Sequence, residues 1–264
     1  MKFSRKQLSI PYVIFLVGFV VLPLFVVLYY ALTNGQGEFT LENFHAFFAN
    51  SKALGTLFYS FIIALATTIG CLLIAYPTAY ILARGPFKRG GVLMVLLVLP
   101  MWINFTLRIT AVKEILSLWE GNLALYPFFN TVLCMIYDFL PFMILPLYTT
   151  FMKLDKSLPE AAADLGATKW HIFWRVMLPL TLPGIISGVT MVLLSSMTNY
   201  VVLDMVYNST YIMGSLIGSY FNTYDWHNGS MISIILLFII FGLTWLTEHF
   251  SGEQGTETRG GGIW

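Results

Sequence analysis

The sequence predicts an all-α integral membrane protein with six transmembrane helices, and three observations predict it. Of 264 residues, 58% are hydrophobic and 10% charged, against about 25% charged in a soluble domain, so there is too little polar surface to coat a water-soluble globule. The apolar residues gather into long runs nearly free of Asp, Glu, Lys, Arg and His, long enough to cross a hydrocarbon core that takes about 20 residues per helix. Basic residues, finally, are concentrated in alternate inter-span segments, as the positive-inside rule requires.

The spans follow in order. Span one, 10–32, comes after Lys2, Arg5 and Lys6; its apolar run continues through Leu32 without a small-x-small cleavage site, so it reads as a retained anchor rather than a signal peptide. Span two, 54–83, is followed by Arg84, Lys88 and Arg89. Span three covers 90–111. Span four, 127–152, contains Asp138, an isolated acid that insertion tolerates when it faces protein or a wet cavity. The loop 153–178 carries Lys153, Lys156, Lys169 and Arg175, and span five, 179–204, ends at Asp204. The uncharged stretch after it is too polar to span, with Asn208, Ser209, Thr210, Gly214, Ser215, Gly218, Ser219 and Asn222, and reads as an external loop with a short surface helix. Span six is 229–249.

The alternate loops hold only Lys52 and Lys113, which puts both termini and the two basic loops on the cytoplasmic side. Residues 1–250 form a single transmembrane domain, and the Gly-, Thr- and Glu-rich tail 251–264 is expected to be disordered. Cys71 and Cys134 fall inside spans, where a thiol acts as a small apolar group, so no structural disulfide is expected. Pro77, Pro100, Pro141, Pro146 and Pro183 lie in or at the ends of spans and favour kinks.

The most informative segment is 153–178. Two short helices are expected around a glycine turn. Ser157 can cap the first, Glu160 stands three residues on for a capping box, and Pro159 fits the first turn. Ala161, Ala162 and Ala163 leave a narrow face open to close approach by another protein, and Gly166 suits a left-handed helix end. The second helix puts Trp170, Phe173, Trp174 and Met177 on one side, the pattern of an interfacial helix along the inner leaflet. A cap and a glycine alone also fit a surface loop without a partner.

The full spacing, Glu160-Ala161-Ala162, then Gly166, then Met177-Leu178-Pro179, resembles the EAA signature of ABC importer permeases. The resemblance implies that Glu160, Ala161, Ala162, Asp164 and Gly166 form a coupling helix docked in a cleft of a cytoplasmic ATPase. Further stretches resemble PotB-type subunits of spermidine/putrescine importers: Pro100-Met101-Trp102-Ile103-Asn104 with Arg108, Leu140-Pro141-Phe142-Met143, Pro146-Leu147-Tyr148, Leu154-Asp155-Lys156 and Pro179 through Gly184. Asp225-Trp226 with Gly229 also fits, although His227 and Asn228 depart from the pattern, and Asp138 belongs to no family pattern.

This likeness implies a type I ABC importer permease (MetI-like) fold in a bacterial inner membrane. It also implies the partners: a second, PotC-type permease subunit in a heterodimer, an ATPase dimer, an external substrate-binding protein and the lipid bilayer, with no nucleic acid. The chain has no Gly-Lys-Ser or Gly-Lys-Thr phosphate loop, so ATP and Mg belong to the partner ATPase and no enzymatic activity or cofactor is expected here. His45, His171, His227 and His249 are dispersed, and no metal site is expected.

The substrate path is the least determined part. A polyamine calls for separated carboxylates and aromatic faces. Asp204 with Tyr200 and Tyr207, and Asp138 with Tyr137 and Trp102, offer that alternation; the family pattern adds Asn104. A charge in mid-membrane costs about 2.5–3.5 kcal/mol, so Arg108, Asp138 and Asp204 each need a partner or a wet surface. Arg108 either snorkels to the headgroups or is paired; Asp204 faces the path or pairs with Arg108 or Lys113; Asp138 lines a wet path or joins a structural pair. An unpaired Arg108 suits an inorganic anion instead, and a channel or secondary transporter fits the hydropathy but gives no reason for the coupling loop.

Overall fold

The computed structural model describes residues 10–87, 89–206 and 210–251. In chain order the helices are α1 (Pro11–Ala31), α2 (Glu42–Ala49), α3 (Ser51–Arg84), α4 (Gly90–Trp102), α5 (Phe105–Glu120), α6 (Pro127–Lys153), α7 (Ser157–Asp164), α8 (Lys169–Thr198), α9 (Tyr200–Met205), α10 (Met213–Asn222) and α11 (Trp226–Ser251). Five of them, α1, α3, α6, α8 and α11, are each long and apolar enough to cross a membrane, and α4 with α5 makes a sixth crossing if the bent pair is one span.

Span three differs most from expectation. It is not one helix over 90–111 but two, with a bend of 99° between them. Pro100 lies in a tight 3-10 turn, Leu99–Trp102, where it supplies no donor to the ladder. Asn104 then leaves the helical region at φ −52, ψ 129, and its Oδ1 accepts from Thr106 N at 2.9 Å and Leu107 N at 3.4 Å. A side chain that satisfies two orphan amides starts a new helix in a new direction. Pro77, Pro141, Pro146 and Pro183, by contrast, sit inside continuous helices. Thr149 and Thr150 both donate to Pro146 O at 2.9 Å, side-chain bonds to the preceding turn of the kind that bend a helix.

Two further boundaries are corrected. The second loop helix is not separate from span five; it runs on as α8 through a wide π turn at Phe173–Met177. That turn ends two residues before Pro179, whose missing N–H removes one link of the regular ladder. At its other end the span stops at Asn199, whose ψ of 83 leaves the helical region, and Asp204 lies on the separate short helix α9.

The chain divides into two compact units. One comprises residues 59–210 and 241–264. Its core is the α6 and α8 pair, which approach closely because α8 presents glycines. A Cβ at Gly184 would stand 2.5 Å from Thr150 Oγ1 and 3.1 Å from Pro146 O; one at Gly188 would stand 2.6 Å from Met143 Sδ and 3.3 Å from Met143 O. Small residues at such a crossing gain van der Waals contact between backbones, which drives helix association in lipid. Gly70 of α3 leaves room for the Ile136 side chain of α6. The Cys71 thiol donates to Ile136 O at 3.7 Å.

The other unit comprises residues 1–58 and 211–240. The expected short helix appears as α10. Asp225 caps α11, accepting from Asn228 N at 3.2 Å and Asn228 Nδ2 at 2.8 Å. His227 Nδ1 is 3.0 Å from Tyr30 O, and Trp226 packs near the rings of Tyr30 and Phe221. A Cβ on Gly229 would meet the Phe221 ring at 3.2 Å, so a bare backbone is what lets α10 fold against α11.

Candidate functional site

The loop helix α7 is built from its neighbours in sequence. Its first turn is capped differently from the sequence expectation: Ser157 is a helical residue and makes no side-chain cap, while Asp155 Oδ1 accepts from Ser157 N at 3.0 Å. That amide holds the exposed Asp155 carboxyl below the usual carboxylate range. Asp wins because its carboxylate reaches the amide two residues on, forming an Asx turn. The helix ends as expected at Gly166, φ 84, with Ala167 N donating to Ala162 O at 3.1 Å and Gly166 N to Ala163 O at 2.9 Å. These are the paired bonds of a Schellman end. Thr168 then starts α8, accepting from His171 N at 3.3 Å.

Glu160, Ala161, Asp164 and Gly166 are exposed and Ala162 is half-buried. One turn of helix thus projects two acids and a small-residue face to the outside. Of the expected aromatic face, Trp170 and Trp174 are exposed while Met177 is buried, and Phe173 packs edge-on against Tyr76 of α3 at 5.7 Å. Two cavities flank α7. One of about 520 Å³ is lined by Tyr76, Tyr80, Pro159, Lys169 and Phe173 among others. The second, about 440 Å³, includes Arg84, Asp155, Lys156 and Glu160.

The polar residues in the spans sort by burial. Arg108 and Asp138 form an ion pair with side chains 8% and 5% exposed, so Asp138 is the counter-ion of Arg108. Asp204, expected either to face the path or to pair with Arg108 or Lys113, is exposed and lies on α9, which packs beside α5 and α6. Tyr200 opens the same helix and is exposed. Trp102 is 86% exposed at the elbow and lines a small apolar groove with Met94, Val98 and Leu145. Asn104, two residues past the elbow's turn, is exposed but holds the helix start. Tyr207 lies outside the described residues.

The structure adds a residue that sequence reasoning used only as a topology charge. Arg84, in the last turn of α3, donates from Nε to Phe151 O at 2.9 Å and from Nη2 to Leu154 O. Its partners are 67 and 70 positions away, and no local pattern announces them.

The comparisons with known proteins agree with this architecture. Residues 75–251 match the model of the binding-protein-dependent transport system inner membrane component family. The chain is 37% identical over 221 residues to the spermidine/putrescine transport system permease protein PotB of Escherichia coli strain K12, covering 78% of this chain and 80% of that one. It is 35% identical over 256 residues to PotB of Haemophilus influenzae, covering 88% of each. Among solved structures, a chain of a bacterial alginate ABC transporter superposes with a TM-score of 0.73 at 14% identity, covering 93% of each chain. A chain of the MetNI methionine ABC transporter superposes with a TM-score of 0.59 at 15% identity, covering 75% of this chain and 93% of that one. Those two likenesses establish the type I ABC importer permease fold, and the family match with the PotB identity establishes that this chain belongs to the binding-protein-dependent inner membrane permeases, alongside PotB.

Proposed function

We propose that this chain is one permease half of an ATP-driven importer of polyamines such as spermidine and putrescine. The observation that carries the reading is the 35–37% identity to PotB across most of the chain. A structural finding supports a cationic cargo. Arg108, the residue that would favour an anion, has its charge neutralised by Asp138 inside the bundle, while the Asp204 carboxylate is exposed with Tyr200 on the same short helix.

In this reading Asp204, Tyr200, Trp102 and Tyr207 offer the carboxylate and ring faces that ammonium groups and methylene stems favour; Asn104 holds the elbow that presents Trp102. Asp138 acts on the path through Arg108 rather than as a free ligand. The α7 end faces the cytoplasm with both termini. Glu160, Ala161, Ala162, Asp164 and Gly166 seat α7 in a cleft of an ATPase dimer, which binds ATP and Mg and does the hydrolysis; this chain supplies no ATPase site. A PotC-type permease completes the pathway and an external binding protein delivers the substrate.

The test is purification of the tagged chain from its native host under mild conditions, followed by uptake of labelled spermidine and putrescine with all partners present. An ATPase and a second permease should co-purify, and Asp204→Asn should weaken uptake far more than a neutral change on the lipid-facing side of α1. Recovery of the chain alone, or full polyamine uptake by a strain lacking it, overturns the assignment.

A further inference from the structure

We infer that Arg84 is the positioning residue that joins the α7 helix to the membrane span α3, so that a displacement of α7 becomes a displacement of that span. This inference rests on the reading of α7 as the ATPase-coupling helix.

The chain enters α7 through the end of α6 and leaves it through the start of α8. The end of α3 holds both. On the entry side, the Arg84 guanidinium donates to Phe151 O and Leu154 O, the free carbonyls at the end of α6. A cation there also meets the negative end of the helix dipole. Leu154 is followed directly by Asp155, whose carboxylate receives the first amide of α7. Arg84 is therefore separated from the α7 N-terminus by two short, charge-assisted connections, with no flexible linker between them.

On the exit side, Tyr76, two turns earlier on α3, has its hydroxyl 3.1 Å from Thr181 Oγ1 of α8 and its ring 5.7 Å from that of Phe173. On the entry side again, Tyr76 and Tyr80 both pack edge-on against the ring of Phe151 of α6, at 5.2 and 5.6 Å. These ring contacts are apolar faces that can slide. The Arg84 contact is a two-pronged directional clamp, which resists sliding. A cavity of about 440 Å³ lies between α7, Arg84 and Leu180, so α7 itself is not closely packed on α3 there, and the guanidinium is the directional contact that fixes the entry to α7.

A positioning role predicts loss of coupling rather than loss of assembly. The complete complex, reconstituted with its ATPase, is assayed for labelled spermidine transported per ATP hydrolysed. Arg84→Ala should lower that ratio about tenfold, the effect of losing one net charge-assisted bond, with the ATPase still bound. Arg84→Lys should recover part of it, because an ammonium keeps a charged donor at these carbonyls but lacks the fork that holds both. Should Arg84→Ala fail to accumulate in the membrane, Arg84→Gln, which keeps one donor, is read in the same way and should give an intermediate ratio.

A wild-type ratio in Arg84→Ala, or in Arg84→Gln where Ala does not accumulate, overturns the inference. So does a parallel fall of transport and hydrolysis that Arg84→Lys does not relieve. Glu160→Lys, measured alongside, separates this from the underlying reading: if Glu160→Lys transports normally with the ATPase bound, α7 is not the coupling helix and both readings fall. If Glu160→Lys stops transport while Arg84→Ala does not change the ratio, only the role of Arg84 falls.

Discussion

Removing either member of the buried Arg108–Asp138 pair should destabilise the permease, but only one of the two losses should respond to pH. Both side chains are more than nine-tenths buried, and removing one partner from such a pair typically costs about 3–5 kcal/mol because the other charge is stranded. The two survivors differ in chemistry. Asp138→Asn leaves a guanidinium, which has no accessible neutral form, so its cost is fixed across the working pH range. Arg108→Gln leaves a carboxyl, which can fold protonated. Its cost is capped at that of protonating an ordinary carboxyl at pH 7, about 4 kcal/mol, and the cap falls by about 1.4 kcal/mol for each pH unit below that. The sign follows from linkage: the folded variant holds a proton that the unfolded chain has released, so its stability rises as pH falls.

Thermal unfolding of the solubilised chain at pH 7 and pH 5.5 measures this. At about 2–4 °C per kcal/mol for a chain of this size, Asp138→Asn should lower Tm by about 6–20 °C at both values. Arg108→Gln should recover about half of its pH 7 loss at pH 5.5. The double variant Arg108→Met with Asp138→Leu, which removes both charges and keeps the volume, should regain most of the loss. Equal losses for the two single variants at both pH values, together with additive losses in the double variant, refute the coupling.

Three other outcomes follow from the same geometry. Gly166→Val puts a β-branched side chain at φ 84, a conformation that costs an L-residue about 1–2 kcal/mol; uptake should stop while membrane insertion, followed by cell fractionation, continues. Asn104→Ala removes the acceptor that starts α5 and should cost about 1 kcal/mol, seen as faster amide exchange at Thr106 and Leu107. Gly188→Leu drives a side chain into Met143, whose carbonyl oxygen would lie 3.3 Å from the new Cβ. The crossing of α6 and α8 should open, and the protein should lose its cooperative melting transition; Gly188→Ala should melt only a few degrees low because Met143 Sδ can swing aside.

Much of this molecule was legible along the chain. Hydropathy over about 20 residues located α1, α3, α6 and α11, because burial in hydrocarbon acts on every residue of a span at once. The end of α7 was readable at Gly166 because a positive φ nearly demands that residue. The start was misread: Ser157 and Glu160 form a valid capping pattern, but Asp155, two residues earlier, competes for the same amide and wins. The elbow of span three was missed for a related reason. Pro100 and Asn104 each carried a signal, yet apolar residues continue on both sides, and hydropathy records composition without direction.

What the sequence by itself determined is the protein's class: an all-helical membrane permease, the family to which it belongs, and the loop that carries its signature. These are local or additive properties, set by runs of apolar residues and by fixed spacings between near neighbours. Only the tertiary structure decided which polar groups meet. Arg108 finds Asp138 across 30 positions and Arg84 finds Phe151 across 67, and Asp204 is left without that arginine. An ion pair or a side-chain clamp depends on which faces the helices turn to one another, and that is decided by packing, as where Gly70 of α3 admits Ile136 of α6. A linear pattern holds the charges; the crossing of helices assigns their partners.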